Sequence, residues 1–130
     1  MPICANPKKR RVKIPAGEGC VVLVLREYTA SEYTRFMSNR LEFKKKGRML
    51  DRSMQERIHF IDQLLEGIEA QDAQGKPDSV TYVDPASGQE KPLTPEVENW
   101  MVYVNPSWKI AAAMELEGVY GEVESVTVKN

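Results

Sequence analysis

Residues 53–69, SMQERIHFIDQLLEGIE, place Met54, Ile58, Ile61, Leu65 and Ile68 at steps of four, three, four and three. That spacing draws one apolar stripe down an α-helix, and no other stretch restricts the fold as strongly. Phe60 and Leu64 widen the stripe, and polar residues fill the remaining surface. Ser53 with Glu56 three residues later forms a capping-box pattern. The repeat spans only about two heptads, fewer than a coiled-coil seam requires. The stripe is therefore expected to be the spine of the chain's own core, packed against Tyr33, Phe36, Met37 and Leu41 of an upstream helix.

That upstream helix is expected over 29–46. Thr29 and Glu32 make a second capping box, Tyr28 and Tyr33 fit the hydrophobic staple across it, and Lys44-Lys45-Lys46-Gly47 resembles a helix end. The striped helix is expected over 53–73, so a short connection would make the two an antiparallel pair. Before them, CVVLVL at 20–25 is continuous, β-branched and strand-sized. Its strand partner could be residues 11–14, turning through Pro15-Ala16-Gly17, or the tail pattern of Val119, Tyr120, Val123, Val126 and Val128. PKKRRVK at 7–13 has the composition of a nuclear-localisation signal, but a solvated basic arm running into a strand is the favoured reading.

Residues 71–93 are polar and turn-rich, with Asp84-Pro85-Ala86-Ser87-Gly88 as the strongest turn signal, and are read as a hinge-like connection. Thr94-Pro95-Glu96 looks like a helix start, giving a third helix over 95–104, and Asn105-Pro106 opens a fourth over 106–117 closed by Gly118. The resulting expectation is a mainly α single domain over 1–130. It would have about four helices, a short N-terminal β element at about 11–14 and 20–26, and a flexible arm over 1–10.

Length and composition fit one soluble domain: 130 residues, 42% hydrophobic and 28% charged. The longest apolar run is far short of a membrane span, and no signal-peptide pattern opens the chain, so a cytoplasmic protein without a membrane partner is expected. Cys4 and Cys20 are the only cysteines and His59 the only histidine, which leaves no zinc ligand set. Phosphate-loop, nucleophile-elbow and His-Glu-x-x-His patterns are lacking, so neither a catalytic residue nor a cofactor is expected. Charge is poorly mixed: residues 40–57 carry a net +4 and residues 66–98 a net −6. Taken alone, that asymmetry is best read as two solvated faces of opposite sign. The sharper reading is one copy's basic turn meeting another copy's acidic region, a heterologous contact that builds rings or open spirals. The candidate contact residues are Lys44, Lys45, Lys46 and Arg48 on the basic side and Glu66, Glu69 and Asp72 on the acidic side. Trp100, Met101 and Trp108 are candidate apolar contacts. A small helix-turn-helix regulator, with KKKGR against phosphates, is the alternative; a pI near 5.9 weighs against it.

Residues 24–37, VLREYTASEYTRFM, run an apolar strand into Leu-Arg-Glu-aromatic-Thr-x-x-Glu-aromatic and then a helix. With LTPEVENWMVYV and NPSWKIAAAMELEG further on, this pattern resembles the tail assembly chaperones of lambda-like long-tailed bacteriophages. The resemblance covers roughly 20–118. It implies a mainly α chaperone of the host cytoplasm that keeps the tape measure protein soluble during tail assembly and is absent from the mature virion. In that family a longer form made by ribosomal frameshifting is thought to recruit the major tail protein; this chain would be the short form.

Overall fold

A computed structural model describes residues 2–118, and its organising element is the apolar run at 20–25. Strand β1 (Lys9–Ala16) turns through Gly17, at φ +58, into strand β2 (Gly19–Arg26), pairing Val12 with Leu23 and Ile14 with Val21. The partner left open between residues 11–14 and the tail is thus the preceding segment, which runs longer than 11–14; the tail alternative lies outside the described residues. Lys9 and Arg10, expected in a flexible arm, belong to β1. Val21, Leu23 and Leu25 face the core, while Val22, in register with Lys13 and Glu69, is fully covered on the opposite face. A strand buried on both faces reads as a continuous apolar run rather than an alternation.

The second edge of β2 is filled by β5 (Leu65–Gln71), with β6 (Pro77–Asp78) outside it, giving the order β1-β2-β5-β6, all antiparallel. The strands close tightly at Gly19, where a Cβ would stand 1.9 Å from the Gln71 carbonyl oxygen. Only glycine fits there.

Helix α1 (Ala30–Asn39) starts at the expected capping box: Glu32 N–H donates to Thr29 Oγ1 at 3.1 Å, and Thr29 N–H donates to Glu32 Oε1 at 3.0 Å. Tyr28 and Tyr33 stack at 5.5 Å across it. The helix stops well short of 46. Residues Leu41–Phe43 (β3) and Met49–Asp51 (β4) form a hairpin around a turn at Lys45–Gly47, with Lys46 and Gly47 at φ +67 and +74. A glycine at positive φ serves a hairpin turn as well as a helix end, which is why the helix was expected to continue.

Helix α2 covers Ser53–Leu64, and the expected extent to 73 fails because residues 65–71 pair with β2. Leaving that edge open would strand a row of backbone donors and acceptors in the core, which outweighs helix propensity. The capping role expected of Ser53 belongs to Asp51, whose Oδ1 accepts from Ser53 N–H at 2.8 Å. The buried face of α2 is Ser53, Arg57, Phe60, Ile61 and Leu64, whereas Met54 is 55% exposed. Phe60 stacks on Phe36 at 4.4 Å, yet Met37 and Leu41 of the expected seam are exposed, and α2 packs more on α3 than on α1.

In the hinge-like segment, β7 (Thr81–Val83) pairs with β8 (Glu90–Pro92) around a turn held by Asp84. Tyr82 lies 4.5 Å from Tyr103. The helix expected over 95–104 is absent: three-residue-spaced turns from Thr94 to Val104 include a 3-10 turn at Trp100–Tyr103, entered through left-handed Asn99. They bury Trp100 and Val104 while Val102 faces out. Helix α3 (Pro106–Glu117) forms as expected, with Asn105 accepting from Ser107 N–H and Gly118 at φ +79 closing it. The chain is therefore a mixed α and β domain with three helices and eight strands among the described residues, not a mainly α bundle of four helices.

Ile61→Ala should destabilise the protein by about 2–5 kcal/mol in urea titrations. Met54→Ala should change stability by less than about 0.5 kcal/mol, because the buried face is not the one the apolar periodicity marks. Glu32, held by the Arg26 guanidinium and then by Thr29 N–H, titrates at about 2 instead of the ordinary 4.5. A lowered folded value contributes stability that is fully present above the unfolded value and lost as pH falls toward the folded one. Glu32→Gln should therefore flatten the decline in urea midpoint between about pH 4.5 and 2.

Candidate functional site

The β3–β4 hairpin brings exposed apolar side chains and a cluster of cations together on one element. Phe43 and Met49 face each other across it, 76% and 56% exposed, and Leu50 beside them is 46% exposed. Single exposed apolar residues are ordinary, but a group on one projecting element marks an interaction surface. The tip holds Lys44, Lys45, Lys46 and Arg48. Lys44 pairs with Glu42 at 3.3 Å, and Arg52 pairs with the same carboxylate at 3.2 Å, holding Glu42 below its usual range. Among the described residues, no carboxylate lies within ion-pair range of Lys45, Lys46 or Arg48.

The base of the hairpin is built on charge. Arg40, closing α1, and Arg57, on α2, both donate to Glu117 at the end of α3, whose side chain is 3% exposed. A carboxylate at a helix C-terminus opposes the helix dipole, so two guanidiniums are needed to keep it there. Arg40 Nε also donates to Ser53 Oγ at 3.3 Å. Met37 Sδ lies 3.2 Å from Arg40 and Met54 Sδ 3.8 Å from Arg57, so two exposed methionines flank the cluster. On the same helix pair, buried Lys109 reaches Asp62 at 2.6 Å and donates to the Met101 carbonyl at 2.8 Å. Together the Arg57–Glu117 and Asp62–Lys109 ties join opposite ends of α2 and α3, which run antiparallel.

The acidic candidates do not share one face. Glu66 sits at the bulge where β5 meets β2, Glu69 pairs with Arg11 at 2.6 Å on the outer sheet face, and Asp72 accepts from the N–H groups of Gln74 and Lys76 in a turn. Asp72 then joins Glu18, Asp78 and Trp108 in lining a cleft of about 520 Å³ at the Gly19 end of the sheet. Trp100 is buried in the core, and Met101 packs partly against it. Of the apolar candidates, only Trp108 lines this cleft.

His59 lies 3.3 Å from Gln63 in a small cleft with Glu56 and Arg35, and the Cys20 thiol lies 3.6 Å from Gln71 Oε1. No group of three or more His, Cys, Asp or Glu among the described residues is placed to hold a metal ion. No described helix is long and apolar enough to cross a membrane. A helix-turn-helix pair is not formed, since the 41–51 hairpin separates α1 from α2. No protein-family model, curated protein or solved structure matches the chain.

Sequence reading singled out the lysines, missed Phe43, Met49 and Leu50, and assigned Met37 and Met54 to the core, where the structure leaves them exposed. The available signal was LEF and MLD, two short segments with apolar residues on either side of KKKGR, which is a hairpin pattern around a turn. Glu117→Ala should cost about 3–5 kcal/mol, because it leaves two guanidiniums without their carboxylate. Glu42→Ala, at the exposed tip pair, should leave the urea midpoint essentially unmoved.

Proposed function

We propose that this chain is a tail assembly chaperone of a long-tailed bacteriophage, acting in the host cytoplasm to keep the tape measure protein soluble while the tail is built. The observation that carries the reading is the set of exposed apolar side chains around the hairpin base: Met37 near the end of α1, Leu41 just past it, and Met54 at the start of α2, with the two thioethers against Arg40 and Arg57. Unbranched thioethers adapt to irregular apolar partners, and here they stand on a framework pinned by Arg40, Arg57 and Glu117. A holdase needs such a yielding apolar surface on an otherwise rigid body. The resemblance over 24–37 adds support, since β2 runs directly into the Thr29–Glu32 cap and the Tyr28–Tyr33 stack. The later part of the resemblance contributes less: of the two helices expected at its end, only α3 forms. On this reading copies self-associate along the extended client, the chain leaves before the virion is complete, and a longer frameshifted form recruits the major tail protein.

Co-expression with the tape measure protein of the same phage tests the proposal. The chain should move that protein into the soluble fraction and co-purify with it. A Met37→Gln, Leu41→Gln, Met54→Gln variant should lose this several-fold while melting as the parent does. A tape measure protein that stays insoluble beside the unaltered chain would overturn the proposal.

A further inference from the structure

We infer that the tip of the β3–β4 hairpin docks in the acidic, tryptophan-walled cleft of a second copy of this chain, joining copies head to tail. The inference deepens the self-association within the proposed function. Its test uses the chain without any client, so it can fail while the chaperone reading stands, and the reverse.

The hairpin presents an unpartnered sheet face. The Phe43–Met49 pair is its apolar centre, and Lys45, Lys46 and Arg48 surround it without carboxylate partners among the described residues. The cleft is its complement. Glu18, Asp72 and Asp78 line it, no lysine or arginine does, and Trp108 supplies an aromatic wall. Asp72 and Asp78 each use one oxygen on local backbone N–H groups, at 2.9 and 2.8 Å, which fixes their position and leaves the other oxygen available. An indole face accepts a guanidinium, a thioether or a phenyl ring, and the hairpin tip carries all three in Arg48, Met49 and Phe43.

Placement makes the contact intermolecular in character. The hairpin base is fastened to Glu117 through Arg40, and the cleft holds Trp108 of the same helix. Nine residues of helix separate them, about 13 Å of rise, so donor and acceptor surfaces lie at opposite ends of α3. Two different surfaces meeting generate a heterologous interface, which propagates into a ring or an open spiral. Exposed ion pairs contribute little affinity individually, so the charges steer and set register while Phe43, Met49 and Trp108 supply the buried apolar area.

Light scattering of the purified chain at increasing concentration should show a mass at least double the monomer at low salt, falling toward monomer as salt screens the contact. A tip variant (Lys45→Glu, Lys46→Glu, Arg48→Glu) and a cleft variant (Glu18→Lys, Asp78→Lys) should each be monomeric and melt like the parent. Asp72 is left intact because it holds a turn. Mixing the two variants should restore association, since each supplies the surface the other lost. A strictly monomeric parent would overturn the inference. So would a folded tip variant that assembles as the parent does, or a monomeric parent whose tip retards duplex DNA in a gel.

Discussion

A strand as apolar as β2 must be paired on both edges and covered on both faces, and most of the architecture is the consequence. Val21, Leu23 and Leu25 need a core layer, Val22 needs cover on the other side, and eight residues of backbone need ladder partners to left and right. β1 satisfies one edge locally through a tight turn. The other edge recruits residues 65–71, which ends α2 at Leu64 and determines where that helix sits over the sheet. Burying an unpaired backbone edge costs far more than the few tenths of a kcal/mol per residue that separate helix formers. The competition is therefore decided by the strand.

Once α2 is fixed, α3 is aligned to it by charge as well as by packing. Ala112 and Ala113 are fully buried and allow close approach, while Lys109–Asp62 and Glu117–Arg57 tie the two ends of the contact. Buried pairs of this kind add little net stability compared with apolar contacts of the same shape, but removing one partner is expensive. Their effect is to select one register. Arg40 carries that register to the hairpin, because the guanidinium that holds Glu117 is the last residue before β3. A projecting two-stranded hairpin has little core of its own, so its orientation depends on this anchor.

Locally encoded features were readable in the sequence: the strand at 20–25, the Thr29–Glu32 cap, the turn at 84–88 and α3 between Asn105 and Gly118 all rest on neighbours in the chain. The end of α2 was not, for a specific reason. Leu65 and Ile68 are three residues apart, which suits a helix, and both face the core from a strand only because a bulge occurs between them. One extra residue in a strand shifts the inward spacing from two to three and so imitates helical periodicity. Residues 95–104 misled differently. Their Thr-Pro-Glu pattern suits a helix start, but it yields only a single turn, closed by Val97 N–H on the Thr94 carbonyl, before left-handed Asn99 resets the chain. Trp100 and Val104, four apart, are buried together without a regular helix between them.

The same logic explains why the candidate surface was half visible. Charge runs are legible because they do not depend on the fold, so the lysines at 44–46 were found. The apolar half depends on which residues the core leaves uncovered. Met54 fits the helical stripe yet points away, since the buried face of α2 is turned toward α3, with Arg57 in place of an apolar residue. That substitution links the two halves of the surface. A guanidinium at a core-facing position requires a carboxylate, Glu117 provides it, and the helix face left over carries Met54 outward against Arg57, as Met37 lies against Arg40. Arg57 is therefore the residue that makes an apolar patch on the surface compatible with a stable core beneath it.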